Sequence, residues 1–240
     1  MKSIIPAFLL AALLYGCKGE PGPAGPSLPG SISGSVRLID SSGVRMSDNS
    51  GAVISIESIP TIATSNAMGL WTISGLLTGS YNITISKPGF DSNKYYGFQF
   101  AGGGGAQLYP SYLHQLPTFD IQNISVSRDS PSIAVSGTIS STLGETLILF
   151  WGRNRSVSSD PAQFLSFSFI YVPRASSSFW DLVGNNELYP YGITSGDTVY
   201  VVAYPAANGG WNSYVDPVTG RDVITSIRPS PSNIDSVVVP

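Results

Sequence analysis

The sequence predicts an all-β protein made of two consecutive β-sandwich domains. Three observations carry this. Apolar residues alternate with small polar ones at period two through most of the chain, the pattern of half-buried strands. Clusters of Gly, Asn, Asp and Ser break the alternation at short intervals, as turns do. Charged residues are only 11% of the chain, against roughly 25% in average soluble domains, and no stretch rich in Ala, Glu, Lys and Leu repeats at helical period. The 240 residues exceed one typical domain and suit two small ones, and an apolar fraction of 42% is enough for packed cores.

Taken in order, residues 1–16 come first. Lys2 and Ser3 precede the apolar run 4–15. That run is too short for a membrane span, which needs roughly 20 residues, and has the length of a signal-peptide core. Leu14-Tyr15-Gly16-Cys17 then resembles the lipobox of bacterial lipoproteins. The resemblance implies that Cys17 is acylated on sulfur and becomes the new N-terminus. Cys17 is the chain's single cysteine, so no disulfide framework competes for it. Residues 17–30 follow as a linker. Gly19-Glu20-Pro21, Gly22-Pro23-Ala24 and Gly25-Pro26-Ser27 are collagen-like triplets. They are too few for a stable triple helix and read as a polyproline-II spacer of about 3.1 Å per residue.

Residues 31–117 form the first predicted sandwich, with strands expected over 31–39, 51–58, 61–65, 70–74, 80–90, 94–100 and 106–113. Ile54 and Ile56 share one face, as do Trp71 and Ile73, and Tyr81, Ile83 and Ile85. These read as core. Gly75 and Gly79 bracket a tight turn. The set Gly34-x-Val36, Gly51-Ala52-x-Ile54-x-Ile56, Thr64 to Gly69, Trp71-x-Ile73, Gly75-Leu76, Gly79-x-Tyr81-x-Ile83-x-Ile85 and Lys87-Pro88-Gly89-Phe90 resembles the carboxypeptidase regulatory-like domain. That family is a transthyretin-like β-sandwich, and the resemblance implies a structural or interaction module without catalysis. Where the family usually has an aspartate, this chain has Asn66 within Ser65 to Gly69.

Residues 118–240 form the second predicted sandwich, with strands over 119–127, 132–140, 145–152, 164–172, 197–205, 221–227 and 233–239. In 164–172, Leu165, Phe167 and Phe169 define an apolar face against Ser166 and Ser168. Ile193-x-x-Gly196-Asp197-Thr198-Val199-Tyr200, running on to Tyr204, resembles the E–F corner and F strand of fibronectin type III and immunoglobulin-like domains.

The residue inventory excludes several chemistries. Net charge is −3, or −4 once Lys2 is removed with the signal segment, and no basic cluster exists, which argues against nucleic-acid binding. One histidine, His114, and one cysteine cannot supply a Cys/His pair or a His-rich zinc site. His114 is expected at the linker or in solvent. No G-x-S-x-G elbow accompanies it. Gly102 to Gly105 lacks the Lys-Ser/Thr of a phosphate loop and reads as a flexible hairpin loop. Glu145, Asp181 and Glu187 are the acids considered for paired-carboxylate glycoside hydrolysis, and no spacing singles them out. Asp216 to Asp222 lacks the calcium-loop rhythm and reads as a turn. No cofactor is expected.

Three aromatics in polar surroundings, Trp180, Trp211 and Tyr214, are the candidate ligand-binding residues. Flat rings in Gly/Asn/Ser loops stack on sugars or dock proteins, or else cap the ends of their own sandwich. The expected protein is a non-catalytic, membrane-anchored cell-envelope lipoprotein that binds or scaffolds glycan or protein. The alternatives are an envelope glycan hydrolase and a structural spacer. Lys18 after the lipobox cysteine, rather than aspartate, favours the outer membrane by analogy with bacterial sorting rules.

Overall fold

The computed structural model describes residues 28–240. The signal segment, Cys17 and the Gly/Pro triplets lie outside the described residues. The first domain is two sheets packed face to face. In one, β1 (Gly30–Ile39) is central. It pairs antiparallel with β4 (Leu70–Leu76) on one edge, and parallel with β7 (Gly105–Gln107) and then β8 (Ser111–His114) on the other. The facing sheet has the order β3 (Ile59–Thr64), β2 (Val53–Ile56), β5 (Gly79–Ser86), β6 (Ser92–Phe100), all antiparallel. Period-two alternation turns Ile32, Val36, Leu38, Ile54, Ile56, Trp71, Ile73, Ile83 and Ile85 into one core between the sheets, with Tyr81 packed on its margin.

Two turns show how the sequence fixes this packing. The Asn66 Oδ1 accepts hydrogen bonds from the Met68 and Leu70 amides, each at 3.0 Å. The asparagine thus closes the turn that leads into β4. Gly69 ends that turn at φ +82°, and its lack of a side chain lets the Val36 carbonyl lie against it. The glycine run between β6 and β7 has a similar use. The Gly103 amide donates to the Leu28 carbonyl at 2.8 Å, and the Ser31 amide donates to the Gly104 carbonyl at 2.9 Å. The loop lies flat on the incoming chain because it carries no side chains there.

The second domain is also a sandwich. One sheet has the order β13 (Ser178–Gly184), β10 (Ser132–Ile139), β9 (Ile121–Asp129). The other has β12 (Ser166–Val172), β11 (Glu145–Gly152), β14 (Thr198–Ala206), β17 (Asp235–Val238). Ile133, Val135, Leu147, Leu149, Trp151, Ile170, Val172, Val199 and Val201 fill the space between them.

The facing of β12 differs from the sequence expectation. Its buried inward side is Ser166, Ser168, Ile170 and Val172, and the Phe167–Phe169 side faces outward. Two forces set this. The fully buried Trp151 needs an acceptor for its indole N–H, and the Ser168 hydroxyl supplies it at 3.0 Å. The outward aromatic side is shielded at its Phe167 end, because part of the outer face of this sheet carries a further layer. Val157 and Phe164 from the β11–β12 connection, and Ile224 from the hairpin β15 (Ser213–Val215)–β16 (Asp222–Ile224), pack on Ile148, Phe150, Val202 and Tyr204. Phe150 is fully buried there, 4.8 Å from the Phe164 ring and edge-on to Tyr204 at 5.5 Å. The run Leu147-Ile148-Leu149-Phe150-Trp151 is apolar without alternation because both of its faces are covered.

Candidate functional site

The two domains meet where residues 207–215 of the second fold across the first. His114, expected at the linker or in solvent, lies at this junction and is 5% exposed. Its Nδ1 is 3.0 Å from Asp91 Oδ2, and its amide donates to Asp91 Oδ1 at 2.9 Å. Asn212, from the second domain, donates through Nδ2 to Asp91 Oδ2 at 2.9 Å and to the Tyr112 carbonyl at 2.6 Å. Burial pushes the Asp91 carboxyl above the usual carboxylate range, and the hydrogen bonds from His114 and Asn212 pull against that rise. The backbone of Gly210, at φ +144°, lies beside the imidazole. Thr225 adds a bond from its hydroxyl to the Ser92 carbonyl at 2.6 Å. Asp91 and His114 are buried, and Asn212 reaches them from the half-buried edge, so the three side chains fasten the domains together.

Beside this seam the junction opens into a cleft of about 460 Å³, within the size range of small-ligand sites. Its floor is the first row of the outer face of the β12–β11–β14 sheet. There Tyr171 pairs with Thr146, and Thr146 with Ala206. Ser41, Ser42, Gly43 and Gln115 of the first domain form the opposite wall, and Asn208, Glu145 and Arg174 complete the lining. The position of Asn208 is set by its own bonds: Nδ2 donates to the Ser41 carbonyl at 3.0 Å and to the Gly144 carbonyl at 3.1 Å, and Oδ1 accepts from the Thr146 hydroxyl at 2.8 Å. Glu145 is buried, with Ser141 donating to Oε1 at 2.6 Å and Asn208 to Oε2 at 3.3 Å.

An aromatic strip leads out of the cleft along β12. Tyr171 is 63% exposed. Phe169 and Phe167 follow on the same side at two-residue intervals, about 6.6 Å apart. Trp211, 44% exposed, packs against both phenylalanine rings at 5.8 Å. The result is a polar-rimmed cleft with flat, solvent-facing rings at one end.

The sequence-predicted aromatics therefore separate. Trp211 belongs to this strip. Tyr214 lies on β15 at the junction, 5.6 Å from the Tyr96 ring and beneath Lys94 Nζ, which sits 4.7 Å above it. Trp180 is in strand β13 rather than a loop and is 61% exposed. Its neighbours Phe179 and Val183 point into the core, so Trp180 faces out from the opposite sheet, away from Trp211. Among the acids, Glu145 lines the cleft, while Asp181 is on β13 and Glu187 in the short turn 185–187. Glu145 is the single carboxylate in the cleft lining. In the turn after β15, Asp216 Oδ1 accepts from the Val218 and Thr219 amides at 2.9 and 2.7 Å. Among the described residues no group of three or more His, Cys, Asp or Glu is placed to hold a metal. Tyr171, Arg174, Asn208 and Gln115 escaped sequence reasoning. The apolar face of Leu165, Phe167 and Phe169 is the available signal, and alternation alone does not say whether such a face is core or surface.

No protein-family model matches the chain, and no curated protein matches it in sequence. Solved structures are similar at low identity. A Bacteroides uniformis protein provisionally described as carbohydrate-binding is 11% identical over 89% of this chain and 100% of its own, with a TM-score of 0.33. A DUF3823 family protein from the same species is 15% identical over 90% and 100%, with a TM-score of 0.30. The major pilin subunit of Bacillus cereus is 12% identical over 88% and 69%, with a TM-score of 0.31. No ligand or activity is carried over from any of them.

Proposed function

We propose that this protein is a non-catalytic glycan-binding module and that the interdomain cleft is its binding site. The observation that carries the reading is the exposed Tyr171–Phe169–Trp211 strip running into a cleft rimmed with amide, hydroxyl and carboxylate groups. Sugar rings offer apolar C–H faces and a belt of hydroxyls. An aromatic ring matches the first, and preset hydrogen-bonding side chains match the second. Hydrolysis by paired carboxylates needs a second acid across the cleft from Glu145. The lining supplies one carboxylate, which supports binding over hydrolysis.

The architecture supports the family resemblances. In the second domain, with the β15–β16 hairpin set aside, the sheets group strands one, two and five against strands three, four, six and seven, and a tryptophan is buried on the third. Both features fit an immunoglobulin-like sandwich. In the first domain the glycine and asparagine turns fit the regulatory-like pattern. The proposal includes anchoring through an acylated Cys17, with the outer membrane as the favoured location, on the lipobox resemblance. Trp180 and Leu182, both exposed on β13, are proposed as a separate surface for an envelope protein.

The test is a glycan array with the full chain, followed by calorimetry on any sugar bound. Tyr171→Ala and Trp211→Ala are expected to weaken binding by about tenfold each, the factor that 1.4 kcal/mol represents, with thermal unfolding little changed for the exposed Tyr171. Binding that survives both substitutions would place the site elsewhere.

A further inference from the structure

The cleft carries one charge that the fold leaves unused. Arg37 donates to the Met68 carbonyl, Arg45 lies over the Tyr112 ring, and Arg221 lies over Phe164. Arg153 pairs with Asp197, and Arg228 with Asp120. Each of these has a structural task, and Arg128 and Arg155 do not line the cleft. Arg174 is exposed, lines the cleft, and among the described residues forms no ion pair and no side-chain hydrogen bond.

Its position is nonetheless defined. Arg174 follows β12 in a tight turn in which the Ser176 amide donates to the Pro173 carbonyl at 3.3 Å and the Ala175 amide donates to the Thr142 carbonyl at 2.9 Å. Ala175 holds φ +64°, a left-handed conformation rare for a residue with a β-carbon. The Arg174 stem and the Tyr171 hydroxyl both lie against Gly144, so closely that a β-carbon there would meet them at 2.8 and 3.0 Å. The guanidinium is thus carried at the end of the cleft that holds the exposed tyrosine. The opposing charge in the lining, Glu145, is buried and already bonded on both oxygens.

We propose that the cleft selects glycans carrying an anionic group, with Arg174 as the residue that reads it. This rests on the glycan-binding reading above. A guanidinium presents parallel N–H donors that match two oxygens of a planar carboxylate, and it also suits a sulfate ester. Tyr171 would stack on the sugar ring while Arg174 takes the charged substituent. Lysine cannot reproduce the two-pronged contact.

The test measures binding of the full chain to trigalacturonate, to galactotriose and to a sulfated galactotriose, with wild type, Arg174→Ala, Arg174→Lys and Tyr171→Ala. The expected result is that wild type binds an anionic trisaccharide at least about tenfold more tightly than the neutral one, with the preference falling as salt is raised. Arg174→Ala removes the preference, bringing the anionic and neutral affinities together; Arg174→Lys restores it in part. Which anionic sugar is preferred separates carboxylate from sulfate. Equal affinity for neutral and anionic sugars, lost in Tyr171→Ala, would overturn the role of Arg174 and leave the cleft as the binding site. Absence of binding to all three and to the glycan array would overturn both.

Discussion

Asn212 bonds to the buried Asp91 of the first domain, and Asn212→Ala measures what that contact adds to the junction. The substitution removes two hydrogen bonds. One runs to the buried Asp91 carboxylate and one to the Tyr112 carbonyl. A bond to a charged group contributes about 1.5–3 kcal/mol and a neutral one about 0.5–1.5. Asp91 keeps its two contacts with His114, so no carboxylate is left bare, and the expected loss is about 2–4 kcal/mol. The assay is urea unfolding followed by tryptophan fluorescence, together with a double-mutant cycle using Asp91→Ala. Most of the effect of Asn212→Ala should vanish when Asp91 is already absent, giving a coupling above about 1 kcal/mol for side chains in direct contact. A loss below about 0.5 kcal/mol, or additivity within that margin, would refute the view that this bond fastens the junction.

Other predictions follow from single features. Gly69→Ala places a β-carbon onto the Val36 carbonyl at a left-handed φ. It should cost at least about 2 kcal/mol in thermal or urea unfolding, and a neutral result would mean the turn is not rigid. Phe150→Ala empties a site that would be solvent-facing in a plain two-layer sandwich. A loss of about 3–5 kcal/mol is expected, and a loss near zero would show that the third layer adds no stability. Carboxyl titration by NMR should find Asp40, Asp197 and Asp216 below the usual range, the first through the Ser42 hydroxyl and the others through backbone amide bonds, and Asp91 above it through burial. The signs differ accordingly. The first three contribute stability that is present above their unfolded pKa of about 3.9 and is lost as pH falls through their lowered folded values; Asp91 favours the fold most when protonated, an advantage lost as pH rises through its raised value. A lowered Asp91 would reverse its part of that argument.

Much of the first domain was legible because alternation and turn chemistry agree there: Ile54, Ile56, Ile83 and Ile85 alternate strictly, Gly69 marks a turn that demands a positive φ, and Gly75 holds one near the end of β4. The second domain was harder. Strand alternation gives two faces but does not say which is inward, and β12 offered serines on one side and phenylalanines on the other. The buried Trp151 indole and the third layer decided the matter, and both act at long range. The unbroken apolar run of β11 was the readable clue. The interdomain cleft was illegible for a related reason. Its lining comes from segments near residues 41, 115, 145, 171 and 208, which no local pattern relates. The surroundings of His114 were likewise hidden, because Gly210 and Asn212 reach it from a distant part of the chain.

The tetraglycine loop has a mechanical consequence. Tension applied to the chain at Leu28 enters the fold through the contacts with Gly103 and Gly104 and passes at once into β1. β1 is flanked by β4 along one edge and by β7 and β8 along the other. A pull along its axis therefore loads both ladders sideways and together, and they must slip in concert instead of parting one bond at a time. Resistance to such a pull is a matter of rate rather than equilibrium. The strand that receives the load is the one whose backbone is held on both sides, which makes the entry to the first domain a mechanically strong point.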